Sequence, residues 1–387
     1  MDSEIGASLV EPRTSRTSSV NKSRALSRGP DEQSSTSHKL VWAMLMLFSG
    51  TFCTIFAKAM FETNSVGSES CNIHDDTDKD CAFNKPWFSV LIMKLSMALC
   101  LPLYYALGAG KADPNAPNPS WETIKKVSFP ASLDLLNTIL GNIGLLYVNS
   151  SIYQMTRGSV VIFSAMISVK VLGRTLRSFH YWAIFFVIIA VIVVGLAGVE
   201  QDSDSSSSGG EVFLGLGFIL LAQAVTAVQF LAEEALMIDQ SAVLDPVALV
   251  GFEGLWGMAF FAVLAPILTF TPRSPLAISI VWHEDFGDTF VQLSNSSDLC
   301  WLVFGYFCMI LMYNISANFV TQCLSAVVRS ILEACRVMGV WVVGLLFFYL
   351  GTGGMRAIGE EWSEWSYLEL FGFCVLMCVL LVGLFVY

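Results

Sequence analysis

Beyond residue 38 the chain alternates between long apolar runs and short polar segments. A helix needs roughly 20 apolar residues to cross a bilayer, and ten of the runs reach about that length. The pattern therefore predicts ten transmembrane helices, at 39–60, 86–107, 127–148, 151–172, 179–199, 211–234, 246–270, 299–321, 324–350 and 366–386.

The chain divides into a tail and two halves. Residues 1–38 are rich in Ser, Thr and Arg and lack apolar clusters, which predicts a disordered cytosolic tail. A weak repeat relates the fourth helix to the ninth, because Gln154-x-x-Arg157 matches Glu333-x-x-Arg336. Five helices per half is an odd number, so related halves at 39–199 and 211–387 would be inverted, as in many secondary transporters. We predict an all-α membrane protein of two inverted five-helix repeats.

Basic residues predict the orientation in the membrane. The tail and the loops after the second and fourth helices carry Lys and Arg, whereas the alternate loops are acidic. Basic loops stay on the cytosolic side, so we expect both termini in the cytosol. The loop after the sixth helix is an exception, since it is acidic although predicted to be cytosolic. Asn295-Ser296-Ser297 then lies in a lumenal loop and is a glycosylation candidate.

Composition narrows the class of protein. Of the 387 residues, 55% are hydrophobic and 14% are charged, which is typical of a polytopic membrane protein. The net charge of −11 arises largely in loops. The sequence has no basic patch interleaved with aromatic residues, so we expect no nucleic-acid partner. It also lacks an ATP-binding loop, a metal-ligand spacing and a readable catalytic triad, so we expect neither enzyme activity nor a cofactor.

Two of the ten cysteines stand apart from the rest. Most lie within apolar runs, where cysteine behaves as a small hydrophobic residue. Cys71 and Cys81 instead bracket a polar loop that we place in the lumen. An oxidising lumen would allow a disulfide bond between them. The sequence leaves two alternatives open for Cys71 and Cys81: a disulfide bond or two free thiols.

The ninth predicted helix carries three charges in an apolar run. Arg329, Glu333 and Arg336 are four and seven residues apart, so a helix places them on one face, with Ser325 alongside. A charge at the centre of a membrane helix costs roughly 2.5–3.5 kcal/mol on insertion scales. We therefore expect this face to line the interior of the helix bundle or a solute path.

Further polar side chains lie within the predicted helices. Asn, Gln and Ser residues also form hydrogen bonds between membrane helices, and this structural role is the alternative to a solute site. Glu233 and Glu234 lie at the cytosolic end of the sixth helix, where exposure to water would explain the presence of two charges without a role in a site. Basic groups outnumber acidic ones among the deeper charges, which favours an anionic or zwitterionic solute. The candidate solute-binding residues are Lys94, Asp134, Asn137, Gln154, Arg157, Gln223, Glu253, Asn314, Arg329, Glu333 and Arg336.

Several segments together resemble the drug/metabolite transporter superfamily, within the nucleotide-sugar-transporter-like solute carrier family 35. The subgroup F branch that contains the sixth member is the best match, and chloroquine-resistance-type transporters are similar relatives. The resemblance implies ten helices in two inverted repeats around a central cavity, and it favours an endolysosomal or vacuolar membrane. The matching segments are Asp134-Leu-Leu-Asn137, Tyr153 to Phe163, Leu172-Gly-Arg174, Glu233-Glu234, Gly251 to Gly257, Asn314-Ile-Ser316 and Ser325 to Trp341.

These observations favour a secondary transporter that moves a small organic solute across an endomembrane by alternating access. Coupling to protons or to a counter-solute would use Asp134, Glu253 or Glu333 as the proton carrier. A nucleotide-sugar antiporter of the Golgi is the narrower alternative. A membrane adaptor that binds a protein partner through the N-terminal tail is the alternative of another class.

Overall fold

The computed structural model contains long apolar helices of the kind that cross membranes. Among the described residues, six helices are long and apolar enough to span a bilayer, and each coincides with one of the predicted spans. The prediction of a multi-pass membrane protein is confirmed. Apart from three single positions in the first of them, the predicted helices 179–199 and 366–386 lie outside the described residues. The structure describes residues 36–70, 79–108, 119–145, 156–172, 209–238, 244–272 and 282–353, with a few single positions elsewhere, such as Tyr153.

The described part of the chain is helical except for one short ribbon. The strands β1 (Asn64–Val66) and β2 (Asp80–Ala82) pair antiparallel, with Ser65 opposite Cys81, and the sequence did not predict them. The helices are α1 (Thr36–Glu62), α2 (Pro86–Ala98), α3 (Cys100–Leu107), α4 (Trp121–Leu145), α5 (Val160–Leu172), α6 (Gly209–Ile238), α7 (Pro246–Phe270), α8 (Phe286–Asn295), α9 (Ser297–Cys323) and α10 (Ala326–Leu350).

Local sequence explains where several helices begin. Pro86 and Pro246 occupy the first turns of α2 and α7, where proline's missing N–H would have no helical partner. Ser296 caps α9 by accepting a hydrogen bond from the Leu299 N–H, at 3.3 Å. Ser325 caps α10 in the same way, through the Val328 N–H at 3.2 Å. Two residues therefore suffice to join α9 to α10.

Two predicted helices are interrupted. The second consists of α2 and α3, and Pro102 lies just after the break, where it cannot donate a hydrogen bond to Ala98. The fourth was expected to run without a break from residue 151, but α5 begins only at Val160. Bonds from Ser159 N to Thr156 O (3.0 Å) and from Ile162 N to Ser159 O (3.0 Å) form a tighter three-residue turn before it. Arg157 therefore lies beside a break in the helix.

The most extensive contacts pair helices that are distant in sequence. α1 packs along α9 and against α10, and α4 packs along α6 and against α7. α2 packs against α7 and α9, while α5 packs against α6 and α10. Glycines on α7 allow the closest approach: a Cβ at Gly254 would stand 2.3 Å from the Ala98 N atom. The charged side chains of α2, α4, α6, α7 and α10 are thus brought into one interior.

The ribbon and α8 meet at one end of the bundle, which we call the hairpin end (residues 63–70, 79–85 and 282–296). The Ser65 hydroxyl donates to Gln292 O at 2.6 Å, and the Asn295 amide donates to Val66 O at 2.7 Å. The segment between α1 and α2 therefore lies on the same side as the segment between α7 and α9. The sequence predicted both on the lumenal side.

Candidate functional site

The start of α10 is held by two adjacent carboxylates of α6. Arg329 forms an ion pair with Glu233, and its guanidinium lies 3.9 Å from the centroid of the Phe230 ring. The Glu234 carboxylate accepts a hydrogen bond from the Ala326 N–H at 3.1 Å. Glu233 and Glu234 are 0% and 2% exposed, so the expectation that both are solvated is wrong. They are buried because the N-terminus of α10 packs over them.

An amide connects this ion pair to a second acid. The Gln229 side chain donates to the Glu233 carboxylate at 2.9 Å and to the Glu253 carboxylate of α7 at 3.1 Å. Gln229 and Glu253 are 5% and 1% exposed. Among the described residues Glu253 has no ion-pair partner, although the charges of Lys94 and Arg329 act on it from nearby.

Lys94 and Asp134 form a buried ion pair between α2 and α4. The Lys94 side chain is 1% exposed and that of Asp134 is 18% exposed. The stem of Lys94 occupies the space over Gly257, where a Cβ would stand 2.5 Å from Lys94 Cδ. The ion pair thus neutralises two of the predicted site residues against each other.

The central part of α10 carries a separate charged cluster. Arg336 forms an ion pair with Glu333 at 3.2 Å, and its guanidinium lies 5.3 Å from the centroid of the Tyr313 ring. The Tyr313 hydroxyl donates to the same Glu333 carboxylate. Arg336 is 8% exposed, and its Nε has no hydrogen-bond partner within the described part of the chain. This cluster therefore keeps an unused cationic donor about 15 Å from the start of α10.

Arg157 lies in range of the same cluster. Its guanidinium is 5.7 Å from the centroid of the Tyr153 ring, so both arginines contact a tyrosine face. The charges of Arg336, Glu333 and Arg157 all act on Cys53, which is buried in α1. Two arginines from opposite halves of the chain thus lie within electrostatic range of the same part of α1.

The remaining predicted site residues contribute less to these clusters. Asn314 of α9 is buried, and its amide donates to Ile310 O of the same helix at 2.8 Å. Gln223 is buried in α6, and Asn137 is half-buried in α4 one turn beyond Asp134. Gln154 lies outside the described residues. These amides fit the role of interhelical or local hydrogen bonding at least as well as a solute site.

The hairpin end holds a polar network outside the membrane helices. The Glu284 carboxylate accepts from the Trp87 N–H at 2.8 Å and from the Phe88 N–H at 2.7 Å, at the start of α2. Burial raises the pKa of Glu284 to about 7, although those two hydrogen bonds act in the opposite direction. Burial also acts to raise the pKa of Asp288, but the ion pair with Lys85 and hydrogen bonds from backbone N–H groups outweigh it and lower that pKa.

The two predicted modifications also map to the hairpin end. Cys81 is disulfide-bonded, whereas Cys71 lies outside the described residues, so their pairing stays a prediction. Asn295 is exposed at the end of α8, where its amide contacts Val66 O. Its glycosylation also stays a prediction.

Sequence reasoning missed the residues that connect the clusters. Gln229, Glu233 and Tyr313 each bind a predicted site residue, yet none had been chosen. With Glu233 and Glu234 included, acidic groups are no longer outnumbered in the interior. The excess of positive charge is confined to the Arg336 and Arg157 region, which can attract an anionic group. The Glu233 and Glu253 region can hold protons or cations.

Known proteins resemble the chain along most of its length. A nucleotide-sugar transporter family model matches residues 117–261, which include α4, α5, α6 and the charged part of α7. Solute carrier family 35 member F6 of Homo sapiens is 28% identical over 347 residues, which are 88% of this chain and 87% of the relative. An uncharacterized protein of Schizosaccharomyces pombe is 30% identical over 262 residues, 67% of this chain and 73% of its own length.

The chain belongs to solute carrier family 35, subgroup F. The family predicted from the charged motifs is thereby confirmed. Members of the family are membrane transporters of small-molecule solutes and not enzymes. Most residues of the charged clusters lie on helices that are long and apolar enough to cross a bilayer.

Proposed function

We propose that this protein is a secondary active transporter that moves a small anionic or zwitterionic organic solute across an endomembrane by alternating access. The observation that carries the proposal is the Arg336 cluster. A charged group inside a membrane bundle is costly unless it serves a path or a partner. Arg336 has one partner in Glu333, yet its Nε is buried without a hydrogen bond among the described residues. An anionic group of the solute would satisfy that donor.

The second arginine supports the same location. Arg157 lies beside the break before α5, and broken helices with exposed ends are typical of substrate sites in transporters. Both arginines lie against tyrosine rings, which hold a guanidinium in place while leaving its N–H groups available. Two guanidinium groups near Cys53 can bind a carboxylate or phosphate from two sides.

The packing of helices supports ten helices in two inverted repeats. In the predicted numbering, α1 with α9 is the pair of first and eighth helices, and α4 with α6 is the pair of third and sixth. In two five-helix repeats, helices one to five correspond to helices six to ten. Replacing each helix by its counterpart in the other half exchanges these two pairs. The same operation exchanges α5–α6 with α1–α10 and α4–α7 with α2–α9, and it leaves α2–α7 and α5–α10 unchanged. This pattern is expected if the halves are related by a twofold axis between α2 and α7.

Charged residues follow the same relationship. Lys94 is eight residues beyond Pro86 in α2, and Glu253 is seven residues beyond Pro246 in α7. The two helices that would face each other across the axis thus carry opposite charges at similar depth. Alternating access in such folds moves one half against the other around a fixed midplane site. The Arg336 and Arg157 pair would be that site.

The test is solute-dependent thermal stabilisation of the purified protein. Nucleotides, nucleotide sugars, amino acids, short peptides, thiols and cationic drugs would each be screened. At a hundred times its Kd, a solute stabilises the folded state by about 2.7 kcal/mol. The proposal predicts stabilisation by an anionic or zwitterionic class that is lost in Arg336→Gln and kept in Arg356→Gln, which alters an exposed arginine after α10. Stabilisation by cationic drugs alone would contradict it.

A nucleotide-sugar antiporter is the second candidate, and the match of residues 117–261 to the nucleotide-sugar transporter family favours it. A nucleotide diphosphate carries the anionic group that the Arg336 and Arg157 pair would bind. The same screen distinguishes the two candidates. Stabilisation by nucleotide sugars and the matching nucleoside monophosphate, and by no other class, would select the antiporter. Stabilisation by amino acids, peptides or thiols would exclude it.

A further inference from the structure

A pair of buried carboxylates is joined by a single amide group in the interior of the bundle. Gln229 donates from the same Nε2 atom to Glu233 and to Glu253. Each of its two hydrogens therefore points to a different acid. Glu233 is on α6 and Glu253 is on α7, so the arrangement links two helices.

The charges around this pair do not balance. The groups that act on Glu253 are Glu233 of α6, Asp134 of α4, Lys94 of α2 and Arg329 of α10. Lys94 is paired with Asp134, and Arg329 is paired with Glu233. Within the described part of the chain, Glu253 is thus left with the Gln229 amide as its hydrogen-bond partner and with no cation in contact.

Because both carboxyl groups are buried, the lack of a cation in contact with Glu253 is costly in free energy. Glu253 is 1% exposed and Glu233 is 0% exposed. An isolated carboxylate in such a place takes up a proton, because its desolvation is not compensated. Two close carboxylates reinforce this effect, since both cannot be ionised next to each other without a cation for each.

We propose that Glu253 and Glu233, bridged by Gln229, form a proton-binding site that holds one proton between two carboxyl groups. Arg329 is the cation that pairs with whichever carboxylate is ionised. Its Nε has no hydrogen-bond partner within the described residues, so the guanidinium keeps a donor for a second acid. The proton sits on Glu253 in the arrangement described, because Arg329 is paired with Glu233.

The site is connected to the position of α10. Arg329 lies in the first turn of that helix, seven residues before Arg336. The Glu234 carboxylate binds the Ala326 N–H next to it. Uptake or release of the proton therefore changes the attachment of α10 to α6, and α10 also carries the proposed solute site. Only this connection to transport rests on the proposed function; the proton site itself does not.

The experiment is infrared spectroscopy of the protein reconstituted in lipid, without any solute. At neutral pH we expect a carbonyl-stretch band of a protonated carboxyl group that disappears in Glu253→Gln and persists in Glu284→Gln, since Glu284 with its pKa of about 7 contributes a protonated carboxyl group of its own. Glu122→Gln, which changes an exposed acid at the start of α4, should keep the band. Glu253→Asp should retain a protonated acid with a shifted band, which guards against a Gln variant that does not fold.

A second readout counts the proton. Raising the pH should remove the band. The unaltered protein should then release about one proton per molecule more to a pH indicator than Glu253→Gln does, because the other titrating groups release their protons in both proteins. A spectrum without a protonated carboxyl band at neutral pH, or with the same band in Glu253→Gln as in the unaltered protein, would overturn the proposal. Neither readout depends on a solute, so failure of the transport proposal would leave both unchanged.

Discussion

Gly50 of α1 provides the space that the stem of Arg336 occupies. A Cβ at residue 50 would stand 2.5 Å from Arg336 Cδ and 2.9 Å from Tyr313 Cδ2. Gly50 thus allows the arginine of α10 to cross towards α1 while it stays against the tyrosine of α9. Arg336 is therefore positioned by three helices that belong to both predicted halves.

Gly50→Ala should displace Arg336 and weaken solute binding without removing a charge. We expect a loss of about tenfold in affinity, equivalent to about 1.4 kcal/mol. The measurement is the solute concentration that gives half of the maximal thermal stabilisation. Gly217→Ala is the matched control, because nothing lies within 4 Å of its added Cβ. Equal affinities in the two variants would show that the position of Arg336 does not matter for binding.

Lys94 and Asp134 should behave as a coupled pair in stability measurements. Asp134→Leu leaves the fully buried Lys94 without its partner and should cost about 3–5 kcal/mol. Lys94→Met should cost less, since Asp134 is partly exposed. The double variant should be more stable than Asp134→Leu alone. Additive effects in the double-mutant cycle would contradict the ion pair.

Stability should depend on the protonation of Glu284. Its pKa of about 7 in the folded protein exceeds the reference value of 4.5, so the folded state binds the proton more tightly than the unfolded state. The contribution is therefore fully present below about pH 4.5 and is lost as the pH rises through about 7. It amounts to about 3 kcal/mol for this shift. Thermal midpoints measured from pH 5 to pH 8 should fall in the unaltered protein.

Glu284→Gln should flatten that part of the pH profile, because the amide does not titrate. Glu122→Gln should leave the profile as it is. A Glu284→Gln profile with the same slope as that of the unaltered protein would place the pH dependence elsewhere.

Gly254→Ala should loosen the contact between α7 and α2. The added Cβ would stand 2.3 Å from Ala98 N and 2.7 Å from the Met97 carbonyl carbon, and both are backbone atoms that cannot rotate away. Overpacking of this kind typically costs 1–3 kcal/mol. The thermal midpoint should fall in Gly254→Ala and not in Gly217→Ala. An unchanged midpoint would mean that the two helices separate without cost.

Cys71 and Cys81 should be found linked. Peptide mapping under non-reducing conditions is expected to yield one cross-linked peptide that contains both cysteines. Recovery of Cys81 linked to another cysteine, or of Cys71 in alkylated form, would exclude this pairing. A disulfide in such a loop typically stabilises by 2–4 kcal/mol, so Cys81→Ser should lower the thermal midpoint.

The apolar runs were sufficient to predict the six described helices that are long enough to span a bilayer, because length and hydropathy alone decide which segments can do so. The charged face of α10 was also visible, since Arg329, Glu333 and Arg336 are spaced for one side of a helix. Spacing could not reveal that Arg329 contacts α6 whereas Arg336 contacts α9 and lies against α1. These neighbours are determined by packing between segments far apart in the chain.

Glu233 illustrates why the rest of the site was not predictable. It lies 96 residues from Arg329, and its position near a helix end suggested exposure to solvent. Only the packing of α10 over that end buries it. The break before α5 also escaped detection, because the run 151–172 is long enough for a span and Gly158 and Ser159 are compatible with a continuous helix.

Solute uptake into proteoliposomes is the most direct test of the central claim, that Arg336 holds an anionic group of the transported solute. The solute class would be the one that stabilises the purified protein. The account predicts that uptake is lost in Arg336→Gln and unchanged in Arg356→Gln, with both variants folded and inserted. Uptake at the normal rate in Arg336→Gln would contradict the account.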